Sequence, residues 1–279
     1  APAREAAWRR ALGSQAHTCD LAELASALSV GVESIERAVG HATSLREAAG
    51  RARITREDLL AGIRAQLPGP LGPTVDAVHT WDDIVLPAEI LDRAVGFVVA
   101  VREQRHAEGA LGLHATAVLH GPAGTGKTML ASLLARYLAR ELVELGPAPT
   151  EHELATTILA TEQGLAVLGL ARAEQASPEL LRRLARVQGP VVVMARGCLD
   201  LDGATCTAAL PMPSQDARAK LWQLALPGTD LPVDELARDH HTLSGAQIRD
   251  VANRARHAST ARGEPVSCDL LREIARRLL

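Results

Sequence analysis

The spacing of hydrophobic positions differs between the two ends of the chain and its middle. In residues 1–67 and again in residues 213–279, apolar side chains recur every three to four positions, which predicts amphipathic helices. In between, continuously apolar runs such as 115–120, 165–170 and 191–195 alternate with helical patterns. Since parallel strands are buried on both faces, these runs indicate a parallel sheet with helices on both faces, an α/β fold.

Glycine, proline and helix-capping residues mark the predicted boundaries. The run Pro-Gly-Pro-Leu-Gly-Pro at 68–73 is typical of a linker. We therefore predict a helical domain (1–67), this linker, a sheet domain (74–212) and a second helical domain (213–279). The helices predicted in the first domain span 3–12, 21–28, 32–49 and 56–66, and the predicted strands span 115–120, 142–145, 165–170, 191–195 and 205–210.

The two helical domains share a sequence pattern. Trp8 corresponds to Trp222 when the two domains are aligned, and the offset stays between 211 and 214 residues. The matching stretches are 3–12 with 217–226, 23–25 with 235–237, 31–35 with 244–248 and 58–60 with 269–271. Ordered matches at a near-constant offset predict a repeated unit. The first copy follows no sheet domain in this sequence, so we expect the chain to be the tail of a longer tandem protein, or a piece of one.

A phosphate-binding motif follows the first strand of the sheet. Residues 121–128 read Gly-Pro-Ala-Gly-Thr-Gly-Lys-Thr and satisfy G-x-x-x-x-G-K-[ST] between a predicted strand and a predicted helix. Glycines allow positive φ, so backbone N–H groups of the loop and of the helix N-terminus can converge on phosphate oxygens. Lys127 supplies positive charge to the β- and γ-phosphates, and Thr128 supplies a hydroxyl for Mg²⁺. The predicted binding residues for ATP or ADP are Gly121, Pro122, Ala123, Gly124, Thr125, Gly126, Lys127, Thr128 and Met129.

Composition narrows the function classes. The 279 residues carry a net charge of −3, and the only lysines are Lys127 and Lys220. This balance does not indicate a nucleic-acid-binding surface, and no apolar stretch has the length of a membrane span. The four cysteines lie far apart without a C-x-x-C motif, which predicts buried reduced thiols. We expect a cytoplasmic protein without a membrane or nucleic-acid partner.

Essentially the whole chain resembles the AAA+ ATPase superfamily. The resemblance rests on the entry segment at 81–87, the phosphate-binding loop, the turn at 211–213 and the sequence Leu-Ser-Gly-Ala-Gln-Ile at 243–248. Residues Asp216, Arg218 and Trp222 follow the turn as they do in the family. Within the superfamily the chain is similar to AAA modules of the FtsH type and to bacterial members that accompany contractile injection systems.

The resemblance implies a fold and a nucleotide site. The sheet would have the strand order 5-1-4-3-2, and the C-terminal helices would form a four-helix lid over the nucleotide. The adenine would lie between the entry segment and the start of a lid helix. The residues implied on these two sides are Asp83, Ile84 and Val85, and Gly245 and Ala246.

The chain departs from the family at the residues that hydrolyse ATP. In the family the third strand ends in Asp-Glu, of which Asp orients Mg²⁺ and Glu activates the attacking water. Here Ala171 and Arg172 follow that strand, and neither side chain can ligate the metal or accept a proton. No catalytic residue is assigned; Glu174 is the alternative candidate for the base. Arg196 follows the next strand, where it either contacts phosphate or is solvated.

The loops that act between subunits and on clients are reduced as well. Residues 198–204 contain no arginine, so the resemblance implies no arginine finger, and Gly-Pro-Ala-Pro at 146–149 replaces the aromatic pore loop. These features favour an ATP- or ADP-binding module with impaired or absent hydrolysis, in which the nucleotide serves assembly or partner docking. Two alternatives remain. One is an active remodelling ATPase in a ring, completed by another module or subunit; the other is a nucleotide-free interaction scaffold. The expected partners are nucleotide and other proteins or further copies of the chain.

Overall fold

The elements below come from a computed structural model that describes residues 2–75, 79–106 and 114–278. Its α-helices are α1 (Pro2–Leu12), α2 (Leu21–Ala27), α3 (Val32–Ala48), α4 (Arg56–Arg64), α5 (Ala88–His106), α6 (Lys127–Tyr137), α7 (Glu151–Glu162), α8 (Pro178–Leu184), α9 (Gln215–Ala225), α10 (Val233–Asp239), α11 (Gly245–Arg262) and α12 (Cys268–Leu278). Its strands are β1 (Thr74–Val75), β2 (His114–His120), β3 (Glu141–Leu145), β4 (Ala166–Leu170), β5 (Gly189–Ala195) and β6 (Cys206–Ala209). Short 3₁₀ turns occupy Gly13–Thr18, Trp81–Asp83 and Ala173–Gln175.

The strands form one sheet in the order β1-β3-β4-β5-β2-β6. Strands β2 to β6 are parallel, and read from β6 they take the predicted order 5-1-4-3-2. The predicted α/β fold is therefore confirmed. The observed order differs by the addition of β1, which pairs antiparallel with β3. Two residues are too short to produce a periodic pattern, so β1 was not predicted.

Helices cover both faces of the sheet because its central strands are apolar on both faces. All residues of β4 and of β5 are buried. Along β5, Val192 and Met194 join the core beneath α5 and α6, while Val191 and Val193 join the core beneath α7 and α8. This alternation follows from the two-residue repeat of a strand.

Helices α9 to α12 form a bundle with its own core. Trp222 of α9 is fully buried at its centre, and residues of all four helices surround it. Arg218 is buried as well, and its Nε donates a 2.9 Å hydrogen bond to the carbonyl of Ala237 at the end of α10. We call this bundle, residues 213–279, the lid.

Helices α1 to α4 form a second bundle, here called the N-terminal bundle. Trp8 is fully buried in its core, and Arg4 Nε donates a 3.0 Å hydrogen bond to the carbonyl of Ala25. Its core continues into the sheet domain, since Val143 and Leu165 belong to the same cluster of buried side chains. The sequence did not predict this contact with the sheet edge.

Two local features differ from the sequence-based expectations. Residues 13–18 form a 3₁₀ helix rather than a simple connection after α1. All four cysteines are free, but Cys198 is exposed and the other three are partly exposed, so the prediction of buried thiols is wrong. Among the described residues, no helix combines the length and the apolar character needed to cross a membrane.

Candidate functional site

A cleft of about 890 Å³ lies between the sheet and the lid. Its floor is formed by the loop after β2, the turn after β4 and the carboxyl end of β5, and its roof by α9 and α11. Ligands of parallel α/β sheets bind at this edge, outside the carboxyl ends of the strands. The volume is in the range of small-molecule and cofactor sites.

The loop after β2 has a backbone that only glycine adopts readily. Gly121, Gly124 and Gly126 have φ of +138°, +77° and +99°. The N–H of Gly121 donates a 3.2 Å hydrogen bond to the carbonyl of Ala195, which ties the loop to β5. A Cβ on Gly121 would overlap the carbonyl of Leu210. The loop leads directly into α6, whose first N–H groups have no partner within the helix and therefore face the cleft as anion donors.

Lys127 begins α6 and folds back over the loop. Its Nζ donates hydrogen bonds of 2.7 Å to the carbonyl oxygens of Gly121 and Pro122. Burial lowers the pKa of Lys127, the charge of Glu174 raises it, and the charge of Arg196 lowers it further. A phosphate oxygen is a stronger acceptor than a peptide carbonyl. The ammonium group is therefore placed where an anionic ligand would draw it away from the loop.

Thr128 lies at the same end of the cleft as Lys127. Its hydroxyl donates a 3.7 Å hydrogen bond to the sulfur of Met194, which is near the carboxyl end of β5. Met194 thus places a thioether next to the hydroxyl of Thr128. A thioether is a weak acceptor and a poor ligand for Mg²⁺, which prefers oxygen.

The end of β4 carries no carboxylate in the first two positions after the strand. Ala171 donates its N–H to the carbonyl of Leu145 at 2.9 Å, and Arg172 has the left-handed φ of 53°. Glu174 follows in a 3₁₀ turn, and its Oε2 accepts a 3.1 Å hydrogen bond from the backbone N–H of Arg196. Ala171, Arg172, Glu174 and Arg196 all line the cleft, and both arginines are exposed.

The lid contacts the loop through the first residues of α11. The N–H of Ala246 donates a 3.1 Å hydrogen bond to the carbonyl of Gly124, and a Cβ on Gly124 would overlap the hydroxyl of Ser244. Farther along the helix, Arg249 contacts His79 at 3.1 Å and the sulfur of Met129 at 3.6 Å. These contacts set the position of the lid relative to the sheet.

The entry segment forms the side wall of the cleft. Asp83 accepts hydrogen bonds from the backbone N–H of Thr80 at 2.7 Å and from its hydroxyl at 3.0 Å, and these bonds hold the pKa of Asp83 below its ordinary value. Ile84 is buried and Val85 is partly exposed. The carboxylate of Asp83 is thus held by its own turn, and Ile84 and Val85 add two apolar side chains. A wall of this kind is suited to a flat, largely apolar group such as a purine.

The structure brings together the residues that the sequence predicted from separate segments. Ala123 to Met129, Asp83 to Val85, Gly245 and Ala246 all line the one cleft. Gly121 and Pro122 do not line it, but their carbonyls hold Lys127. Sequence reasoning did not find the lining residues Met194, Lys220, Leu221, Arg249 and Asn253. The rarity of lysine was a signal for Lys220, and no local pattern marked the others.

The comparisons with known proteins agree with this geometry. Residues 117–193 match the family model described as ATPase family associated with various cellular activities (AAA). The matched segment runs from β2 through the loop, β3 and β4 to β5. A search of curated proteins found no match to the chain. The segment 117–193, which carries the loop and the central strands of the sheet, is therefore similar to the AAA ATPase family.

Proposed function

We propose that the cleft binds ATP or ADP and that the module hydrolyses ATP slowly or not at all. The observation that carries the proposal is the contrast between the two ends of the same site. The loop keeps its three glycines in left-handed conformation and Lys127 above them, while Ala171 and Arg172 follow β4. A site of this kind retains phosphate binding and lacks the groups that would polarise water.

The nucleotide would act as a clamp between the sheet and the lid. The loop lies below the ligand, and the start of α11 lies against the loop through the bond from Ala246 to Gly124. A ligand that contacts both elements stabilises their observed arrangement in proportion to its occupancy. The arrangement would then determine which surfaces are available for assembly with other proteins or further copies.

The cleft does not fit a complete protein-ligated Mg²⁺ site. Thr128 offers one hydroxyl oxygen, but this hydroxyl contacts the sulfur of Met194. Ala171 and Arg172, which line the same cleft after β4, offer no oxygen ligand from their side chains either. No hydrolytic step through the metal is therefore assigned to this chain.

Slow hydrolysis with Glu174 as the base is the second candidate. Glu174 lines the cleft and acts electrostatically on Lys127, so a carboxylate does lie at the phosphate end. Its Oε2 already accepts a hydrogen bond from the backbone N–H of Arg196, so this oxygen is engaged in the observed structure. A Glu174→Gln variant distinguishes the candidates, since it abolishes turnover only if Glu174 is the base.

The test combines binding and turnover on the same protein. We expect calorimetry to detect ATP and ADP binding, and Lys127→Ala to weaken ATP binding by about tenfold or more through loss of a charge-assisted contact. We expect no multiple-turnover hydrolysis above the rate of the Lys127→Ala control. Sustained ATP turnover that Lys127→Ala removes would contradict the proposal that hydrolysis is slow or absent. If calorimetry detected no nucleotide binding, the nucleotide-free interaction scaffold would be the remaining alternative.

We also infer that the N-terminal bundle and the lid are two copies of one helical unit on either side of the sheet domain. The support is the shared pair of interactions: a fully buried tryptophan in the first helix, and an arginine four residues earlier that donates to the end of the second helix. Separate expression of residues 74–279 tests the domain boundary at the linker. Without the N-terminal bundle, the apolar edge of the sheet at Val143 and Leu165 would be exposed, so these residues are replaced by polar ones. The resulting protein is expected to show a cooperative thermal transition.

A further inference from the structure

We propose that this module binds the triphosphate without requiring a divalent cation, because Arg172 and Arg196 supply the positive charge that the metal would otherwise provide. The inference rests on the proposed nucleotide binding and names the groups that neutralise the phosphates. It predicts a site whose affinity is set by protein cations rather than by Mg²⁺.

Several cations line the cleft. Lys127, Arg172 and Arg196 are among them, and the charges of Glu174 and Arg196 act on Lys127. The other lining carboxylates, Asp83, Asp216 and Asp250, belong to the entry segment and the lid. The backbone N–H of Arg196 already donates to the carboxylate of Glu174 at 3.1 Å. Lys127 and Arg196 beside an engaged carboxylate, with Arg172 in the same cleft, disfavour a free divalent cation and attract a phosphate chain.

Both guanidinium groups can still form hydrogen bonds. Within the described part of the chain, neither Arg172 nor Arg196 forms a side-chain hydrogen bond or an ion pair within 4 Å. Glu144 on β3 acts on Arg172 electrostatically without contacting it, and both arginines are exposed. A guanidinium group binds phosphate through two parallel N–H groups, so these side chains match the ligand that the loop selects.

The backbone of Arg172 is strained. It has φ of 53° and ψ of 47°, in the left-handed region that residues with a Cβ seldom adopt. The conformation lets the chain turn sharply out of β4, and it starts the 3₁₀ turn that carries Glu174 to the N–H of Arg196. Strained backbone of this kind concentrates at ligand-binding positions, where the ligand contact is the compensation.

A metal in this cleft would need suitable ligands. Mg²⁺ in nucleotide sites is bound by one or two carboxylates in addition to phosphate oxygens and water. The side chains at the corresponding strand ends are the methyl group of Ala171 and the thioether of Met194, which accepts the hydroxyl hydrogen of Thr128. The side chains of Thr128, Ala171 and Met194 therefore do not offset the free-energy cost of removing water from Mg²⁺.

The decisive experiment is calorimetric titration of the protein with ATP in excess Mg²⁺ and in excess EDTA. The dissociation constants are expected to agree within about threefold, since the metal contributes little. Tight binding in Mg²⁺ with loss of about tenfold or more in EDTA would overturn this inference and leave the proposed nucleotide binding intact. Absence of binding in both buffers would overturn the proposed function itself.

The variant Arg172→Ala with Arg196→Ala tests the named residues. In EDTA it should bind ATP about tenfold more weakly, because two charge-assisted contacts are lost, and added Mg²⁺ should restore part of the affinity. Arg182→Ala is the matched control, since Arg182 is exposed on α8, where it pairs with Glu179. Unchanged ATP binding of the double variant in EDTA would contradict the proposal.

A second pair of variants separates binding from folding. Arg172→Gly removes the side chain and the backbone strain together, so it should melt at the same or a higher temperature while binding ATP more weakly in EDTA. Ala139→Gly relieves the other left-handed non-glycine residue in the described part of the chain, with φ of 54°, and should leave ATP binding unchanged. Equal ATP affinity of Arg172→Gly and the unmodified protein would show that Arg172 is structural only.

Discussion

The N-terminal bundle and the lid have matching cores and different outer surfaces. From the start of α3 and of α11, buried apolar residues recur at the same positions, so that each bundle is filled by the same kind of side chain. The matched pairs are Ile35 with Ile248, Ala38 with Val251, Val39 with Ala252 and Ala42 with Ala255. In both bundles the indole N–H of the buried tryptophan has no acceptor among the residues that the structure describes.

The surfaces that contact the sheet domain are different faces of the bundles. The N-terminal bundle contacts the edge at β3 and α7, where Ser29 N–H donates to the carbonyl of Gln163 at 2.9 Å and Arg64 pairs with Glu141 at 2.6 Å. The lid instead uses the start of α11 and contacts the loop. The fifth residue of α4 is Leu60, in the core that reaches the sheet, whereas the fifth residue of α12 is Arg272, which pairs with Asp239.

The residues that form the core of a bundle are therefore distinct from those that attach it to the sheet domain. The helical periodicity of buried residues determines the bundle, and a few outer positions determine which side of the sheet it meets. One bundle is joined to the sheet domain by a continuous apolar core, which favours a fixed attachment. The lid is joined through a small polar contact beside the cleft, which makes it the bundle whose position a ligand can control.

The largest expected effect comes from the two buried tryptophans. Trp8→Ala and Trp222→Ala should each destabilise its own bundle by about 3–5 kcal/mol, because each leaves a cavity. Hydrogen–deuterium exchange should localise the loss to α1–α4 for Trp8→Ala and to α9–α12 for Trp222→Ala. Only Trp222→Ala should weaken ATP binding, and equal weakening by both would show that the bundles are not functionally distinct.

A loss of stability of intermediate size is expected when alanine replaces the glycine of the sheet domain that contacts each bundle. A Cβ on Gly124 would overlap Ser244 of the lid, and a Cβ on Gly164 would overlap the carbonyl of Ala27 in the N-terminal bundle. Both residues have positive φ, so each substitution by alanine adds about 1–2 kcal/mol of strain to the overlap. Gly124→Ala should weaken ATP binding. Gly164→Ala should instead increase the rate of hydrogen–deuterium exchange in α2 and α7.

Gly203→Ala is the control for the glycine pair. Gly203 has φ of +79° and no atom within 4 Å of an added Cβ, so the variant reports the strain alone. The interface effect is the excess of each test variant over this control in denaturant unfolding. If Gly164→Ala weakened ATP binding as much as Gly124→Ala, the proposed difference between the two attachments would be wrong.

The smallest expected effect is a pH dependence confined to the N-terminal bundle. Asp58 caps α4 together with Thr55, and its side chain pairs with Arg51 at 2.6 Å. The hydrogen bond from Arg51 is the main reason that the pKa of Asp58 lies below its ordinary value. A lowered folded-state pKa stabilises the protein above the unfolded pKa of Asp, and this contribution is lost as the pH falls towards the folded value.

The lid provides the matched comparison for this carboxylate. Asp58 is the third residue of α4, and the third residue of α12 is Leu270. The sequence alignment of 58–60 with 269–271 is therefore shifted by one residue relative to the helices of the folded bundles. Asp58→Asn should cost about 1 kcal/mol at neutral pH and reduce the acid sensitivity of α1–α4. Asp269→Asn, at a side chain that is 97% exposed, should change neither, as monitored by exchange between pH 3 and pH 7.

Several features of the site could be predicted because they depend on neighbours in the chain. The conformation of Gly124 and the position of Lys127 follow from a strand, a glycine loop and a helix in immediate succession. The order of the five parallel strands followed from the family resemblance. By contrast, Met194 and Arg249 reach the cleft from segments more than 60 residues away from the loop, and no local pattern indicates such a contact.

By itself, the sequence determined the α/β class, the phosphate-binding loop and the absence of the acidic pair after β4, since each depends on residue type and local periodicity. Only the tertiary structure decided where the N-terminal bundle docks, that Arg172 takes a left-handed conformation and that Arg172 and Arg196 line the same cleft as the loop. The physical reason is that docking and side-chain convergence depend on long-range packing, in which one outer residue changes the partner without changing the helical pattern.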